Sequence, residues 1–256
     1  GLDKEIHAIT AQEVTTFAYG HFNAFPLVWD PSKPNMGAVF PFDKNPAELF
    51  TAIREQNPAD EIIQVNHPRG VSPGAYFTYA GLVSGTDEVT HPERWDMNWD
   101  SIESFNGSCG AGEEYEDWIG LTNYGHVKAL TSGSDVHGGT QVPGTPRNWI
   151  PLDLETVSDD PQSLVPVVRA RKTFVTCGPF VTFETTDGVG MGGRAGVAED
   201  GTVTFHVTVQ APTWMQINTL RLMENGVAVD IVDLTASEDP VVRFDGTVSA
   251  TPTSDA

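Results

Sequence analysis

Apolar residues at positions 47, 49, 50 and 53 recur at helical spacing behind Asn45 and Pro46, so residues 45–56 are predicted to form a helix with Asn45 as N-cap and Pro46 at its first position. The next stretch has a different rhythm. Residues 60–67, Asp-Glu-Ile-Ile-Gln-Val-Asn-His, read as a buried strand that runs into His67 and breaks at Pro68 and Gly70. The alternation then repeats. Residues 100–107 are a short strand ending in Asn106-Gly107, residues 113–124 a helix with Trp118, Ile119 and Leu121 on its apolar side, and residues 126–131 a strand. Residues 164–172 read as a helix with a basic carboxyl end, followed by a strand over 173–177. Two further strands are expected earlier, one over 5–16 that ends near Glu13 and one after Gly20 that carries His21. Each strand delivers a polar residue at its end, where ligand sites of α/β sheets gather.

Beyond residue 180 the helical period disappears. Residues 180–185, 202–210, 217–224 and 227–234 alternate as short strands, and Glu224-Asn225-Gly226 is a hairpin turn. The expectation is an α/β domain over residues 1–179, a small all-β sandwich over 180–245, and a Thr- and Ser-rich disordered tail over 246–256. Residues 70–99, rich in Gly, Pro, Thr and Trp, are expected to be a long ordered loop of the kind that often forms a lid.

Charge narrows the partners. The chain has 14 basic and 35 acidic residues, a net charge of −21, which argues against nucleic acid because phosphates need clustered Lys and Arg. No apolar run is long enough to span a membrane. The acidic surface fits an extracellular or periplasmic setting among others, and the start at Gly1 suggests processing or a fragment of something longer. Cys109 and Cys177 allow one disulfide or two thiols.

The densest candidate chemistry is in residues 131–139, Thr-Ser-Gly-Ser-Asp-Val-His-Gly-Gly. On an extended backbone Asp135 and His137 point to the same side and can grip one cation, and an Asp oxygen with a His nitrogen suits zinc, manganese or iron better than calcium; taken alone, Ser-Asp-Val-His reads equally as a simple polar turn. Glu13 and His21 are expected to be neighbours across a hairpin-like connection. His7, His91, His126 and His206 are read as structural, and Trp95, Trp99, Trp118 and Trp149 as core packing or pocket walls.

In order, the motifs Gln-Glu13-Val-Thr-Thr, Gly-His21-Phe-Asn, Val-Asn-His67-Pro-Arg-Gly, Phe-Asn106-Gly107, Gly-Ser-Asp135-Val-His137-Gly and Gly-Thr-Pro-Arg147 precede Arg-Lys-Thr-Phe-Val-Thr-Cys-Gly-Pro. This series resembles the PHP (polymerase and histidinol phosphatase) metallohydrolases, most of all their CehA/McbA-type branch. The resemblance implies a partial distorted (β/α) barrel, with one to three divalent transition-metal ions (Zn, Mn or Fe) at the carboxyl ends of its strands. By position it makes Glu13 a carboxylate able to bridge metals, and His21, His67, Asp135 and His137 ligands. Arg69 or Arg147 would hold an anionic group of a small-molecule substrate through a planar fork of donors. Asn106 receives no firm role. The activity implied is hydrolysis of a phosphoester, ester, carbamate or amide by metal-activated water. Members of this group open with a His-x-His strand and a later Thr-Asp-His segment. Neither is present here, so the expectation is either a missing N-terminal segment or an incomplete site. The alternative is a catalytically degenerate extracellular or cell-surface structural module, such as a self-assembling subunit or homo-oligomer.

Overall fold

The computed structural model describes residues 6–57, 59–70, 74–110, 112–234 and 239–253, and they divide into two compact units that meet in sequence at Val175 and Thr176. The first is mixed α/β. Its five strands β1 (Gln12–Thr15), β2 (His21–Phe25), β3 (Ile62–Asn66), β4 (Ser101–Asn106) and β5 (Ala129–Gly133) form one sheet in sequence order. The β1–β2 and β2–β3 pairs are antiparallel, whereas β3–β4 and β4–β5 are parallel. The described strands make an open sheet with β1 and β5 at its edges, so ring closure is not part of what the sheet itself displays.

Register explains the two faces of this sheet. Val14, Phe22, Val65, Ile102 and Leu130 are successive partners across the five strands. They lie on one face because side chains alternate along a strand. Most of this row is fully buried in a core with Leu49, Phe50 and Ile53 of helix α1 (Pro46–Gln56) and with Tyr76 and Phe77 of helix α2 (Tyr76–Ala80). The adjacent row, Glu13, Asn23, Gln64, Ser101 and Ala129, faces the other way and is mostly polar. At the lower end of that second face Ile62 and Ala129 pack on Val165 and Val168 of α5 (Leu164–Arg169). Towards the upper end the face carries His21, Asn66 and Glu103.

Helix α1 forms where the spacing predicts. Asn45 and Glu48 make a reciprocal capping box, with the Glu48 N–H donating to Asn45 Oδ1 at 3.0 Å and the Asn45 N–H to Glu48 Oε2 at 2.9 Å. Helix α3 (Glu113–Asn123) also forms, but its buried positions include Asp117 as well as Leu121. Residues 74–99 depart from the long ordered loop expected over 70–99. They contain α2 and a 3₁₀ turn at Pro92–Arg94, and Tyr76, Phe77 and Trp99 are completely buried, with Trp95 stacked on Tyr76 at 5.1 Å. Aromatic burial makes this segment a wall of the core. Trp118 also packs against that core, while Trp149 is partly exposed. The strand expected over 173–177 forms as β7 (Phe174–Thr176), paired with β6 (Arg147–Trp149); β6 and helix α4 (Leu154–Asp159) were not evident from periodicity.

The second unit holds β8 (Phe180–Thr185), β9 (Val203–Gln210), β10 (Thr219–Glu224), β11 (Val227–Asp233) and β12 (Val242–Ala250). They form two antiparallel sheets, β12-β9-β8 and β10-β11, around Val207, Val209 and Val248 with Phe183, Phe205, Leu222 and Val232. Asn225 (φ 51°) and Gly226 (φ 88°) make the expected hairpin turn. Residues 246–250, read from composition as the start of a disordered tail, belong to β12. Val248 is buried there and the strand pairs with β9 along its length. Of that expected tail, 254–256 lie outside the described residues.

The lower end of the large sheet is locked by charge. The carboxylate of Asp100 accepts from Arg54 Nη2 and Arg169 Nε, both at 2.8 Å, and from the Ile63 N–H at 2.8 Å. Arg54 Nη1 also donates to Glu61 Oε1 at 2.7 Å, and Arg169 pairs with Asp60. Removing one partner of such a partly buried cluster leaves the others uncompensated, which costs about 3 kcal/mol, the lower end for buried pairs. Asp100→Ala is therefore expected to lower the unfolding free energy of the first unit, read from urea titration, by an amount of that order, with a lower midpoint. An unchanged midpoint would show that the cluster is only decorative.

Candidate metal centre

Glu13, His21 and His67 come together at the upper end of the sheet. Gly20 sets the entry to β2: its φ is 138°, and a Cβ there would stand 3.0 Å from Tyr76 Cβ, so a side chain is excluded where the chain turns into His21. His21 Nδ1 lies 3.4 Å from Glu13 Oε1. His67 follows directly after β3, and its ring stands edge-on to that of His21 at 4.8 Å. One ligand atom from each of the three residues falls within 4.8 Å of the others. Two imidazoles and a carboxylate in such a group are a donor set that suits zinc, manganese or iron.

Supporting bonds fix this group. Asn66 Nδ2 donates to Glu13 Oε1 at 3.3 Å, and Gln64 Nε2 donates to Asn66 Oδ1 at 2.9 Å, so a buried polar relay orients the carboxylate. The His67 N–H donates to Glu103 Oε2 at 2.7 Å, and Asn106 Nδ2 donates to the same oxygen at 3.1 Å. His67 (φ 27°) and Asp135 (φ 44°) both occupy the left-handed region that non-glycine residues seldom adopt. Burial pushes the His21 imidazole below its ordinary pKa, with His67 adding to the shift and Glu13 and Asp135 opposing it. It is thereby held in the neutral form that coordinates metals.

The remaining expected residues are placed differently. Asp135 does not continue an extended strand: β5 ends at Gly133 and the chain turns at Asp135. The pair 135 and 137 therefore does not share one strand face. His137 Nδ1 is 2.8 Å from Asp135 O, but its side chain is 77% exposed, and neither residue joins the Glu13, His21 and His67 group. Asp135 is near enough to act electrostatically on both His21 and Glu103. Arg69 donates through Nε and Nη2 to buried Asp117 at 2.6 Å each, and Nη2 also reaches Leu82 O, so its fork is occupied by the protein itself. Arg147 is exposed, with Nη2 donating to Thr145 Oγ1 at 3.2 Å. Asn106 serves Glu103.

Glu103 is the site residue that sequence reasoning missed. It is 3% exposed and stands on β4 between strands that end in candidate ligands. An acid at the centre of a short buried strand, in phase with Ser101, was the available signal. Both cysteines are disulfide-bonded. Among the described residues no helix is long and apolar enough to cross a membrane. No family model matches the chain, and neither does any curated protein or solved structure.

Burial pushes the Glu103 carboxyl up from 4.5 to about 7, against the bonds from His67 and Asn106, with Asp135 and Glu13 raising it further. A carboxyl whose folded pKa is raised favours folding when protonated. Its contribution is present below the unfolded value and is lost as pH rises through about 7. In metal-free protein, Glu103→Gln removes this term. The stability of the variant relative to wild type is expected to rise between pH 5 and pH 8 by up to about 3 kcal/mol. Urea midpoints at both pH values check it, and a constant difference would contradict it.

Proposed function

We propose that this chain is a metal-dependent hydrolase of the PHP type acting on an anionic small molecule, first a phosphoester and otherwise an ester, carbamate or amide. The observation that carries this reading is the convergence of Glu13, His21 and His67 from three separate segments onto one point. The parallel run of β3, β4 and β5, with His67 and Asp135 just beyond strand ends, supports a partial (β/α) barrel as the scaffold. A divalent zinc, manganese or iron ion held by these residues would supply Lewis-acid activation of water and of a substrate oxygen. The chain's own contribution is positional. Asn66 aims the Glu13 carboxylate, burial keeps His21 neutral, and Asp135 stands beside the group as a donor for a further ion. Arg147, whose guanidinium is exposed, is the better candidate to meet an anion, since Arg69 already holds Asp117. The disulfide agrees with an extracellular or periplasmic setting, because oxidising compartments sustain such bonds.

Equilibrium dialysis against Zn²⁺, Mn²⁺ and Fe²⁺, followed by turnover of a phosphomonoester and a phosphodiester, tests the reading. Wild type is expected to bind and hydrolyse, and chelation to abolish turnover. His67→Ala should lose more than the about 10- to 100-fold in affinity that follows removal of a merely supporting contact. Wild type that binds none of the three metals, or His67→Ala that behaves like wild type, would overturn it.

One observation favours a second reading, that of a self-assembling structural module without catalysis. Val227, Val229 and Ile231 are 67, 44 and 62% exposed on alternate positions of β11. They are exposed apolar side chains on a two-stranded sheet whose alternation is interrupted by a β-bulge at Val229, and exposed apolar groups on an open sheet are what assembly covers. On this reading wild type sediments as an oligomer and Ile231→Lys as a monomer. Monomeric wild type with turnover would rule it out.

A further inference from the structure

We infer that Glu103 is a positioning residue of the site: from β4, the strand between β3 and β5, its carboxylate bonds the turn after β3 and packs against the end of β5. It is not among the three residues whose ligand atoms cluster. It acts through the backbone of a neighbour. Oε2 takes the His67 N–H at 2.7 Å, at the residue whose φ of 27° needs an outside partner to hold it. Asn106 Nδ2, at 3.1 Å, fixes the same oxygen from the end of β4. The other oxygen, Oε1, rests where a Cβ on Gly133 would collide with it, so glycine at the end of β5 is what makes room for the carboxylate. Gly133 lies two residues before Asp135. One buried side chain thus sets the turn that presents His67 and seats against the strand end that leads to Asp135.

The functional consequence rests on the metal reading above, but the positioning does not. The test uses full-length, disulfide-intact protein and compares Glu103→Gln with Glu103→Met. The two side chains are of similar size, and only the first can accept a hydrogen bond. In metal-free protein the readouts are the NMR shift and exchange rate of the His67 amide and the nuclear Overhauser contact between the His21 and His67 rings. Glu103→Gln should keep the ring contact and a protected amide. Glu103→Met should lose the ring contact and expose the amide to exchange. Gly133→Ala, which displaces the carboxylate without altering it, should resemble Glu103→Met, and it replaces that variant if Glu103→Met fails to fold. A ring contact and amide protection unchanged in Glu103→Met, or in Gly133→Ala where that variant stands in, would overturn the positioning role. Zn²⁺ or Mn²⁺ titration adds the second measurement: affinity should fall about 10- to 100-fold in Glu103→Met and stay within about threefold of wild type in Glu103→Gln. Wild type that binds neither ion, with the NMR differences intact, would defeat the metal reading and leave the positioning role standing.

Discussion

Burying a polar sheet face is the constraint on which the first unit depends. Gln64, Asn66, Ser101, Glu103 and Thr131 are all less than 5% exposed, on the face opposite the apolar core. Buried polar groups without partners are costly, so they must satisfy one another or hold something. Most of them do so in a directed way. Gln64 bonds to Asn66, Asn66 to Glu13, Glu103 to the His67 backbone, and Thr131 Oγ1 donates to Ile102 O. Ser101 Oγ is an exception, buried without a partner. The chain of bonds runs upward and ends on the residues that could grip a cation. Packing of the polar face and construction of the site are therefore one event.

The two ends of the sheet neutralise their carboxylates by different means. At the lower end Asp60, Glu61 and Asp100 meet Arg54 and Arg169, and guanidinium forks use up the acceptors. At the upper end burial, Asp135 and Glu13 push the Glu103 carboxyl up, and Glu13 lies against the His21 imidazole. The nearest arginine in sequence, Arg69, is turned away to Asp117. In a chain of net charge −21 an arginine-free cluster of acids with two histidines is an imbalance that a divalent cation would correct. The lower cluster needs none.

Much of this was readable from residue order. The period of residues 45–56, the buried strand before His67 and the hairpin at Asn225-Gly226 were all legible because local signals agree with the tertiary outcome there. Glu13 and His21 were legible as neighbours across a hairpin, which β1 and β2 form, whereas their grouping with His67 was implied only by the order of motifs that the family resemblance rests on. Other features were hidden by interactions between distant segments. Asp117 is buried on α3 because Arg69 reaches it from 48 positions away, which no helical period foretells. Residues 70–99 look like a loop by composition, yet their aromatics fill the core. Glu103 escaped notice because a lone acid in a strand normally signals exposure, and only the register of β3, β4 and β5 shows it enclosed.

The motif that looked strongest in sequence, residues 131–139, turns out to be governed by backbone conformation. An Asp and a His two apart share a face only if the chain stays extended, and the φ of 44° at Asp135 breaks that condition. The same kind of turn occurs at His67. Elsewhere in the chain, left-handed residues such as Asn225 lie in tight turns where a short polar side chain tolerates that region. Asp135 has such a short polar side chain, whereas His67 carries a full ring; each departs from the sheet just past a strand end, and the conformation at His67 costs about 1–3 kcal/mol. Such strain persists only where surrounding bonds over-determine it. At His67 that bond is the one from Glu103. At Asp135 the nearby contact is with exposed His137, which is a weak restraint. The two turns are thus unequally held: the His67 side is built, whereas the side bearing Asp135 and His137 is the one a bound ion would have to draw in.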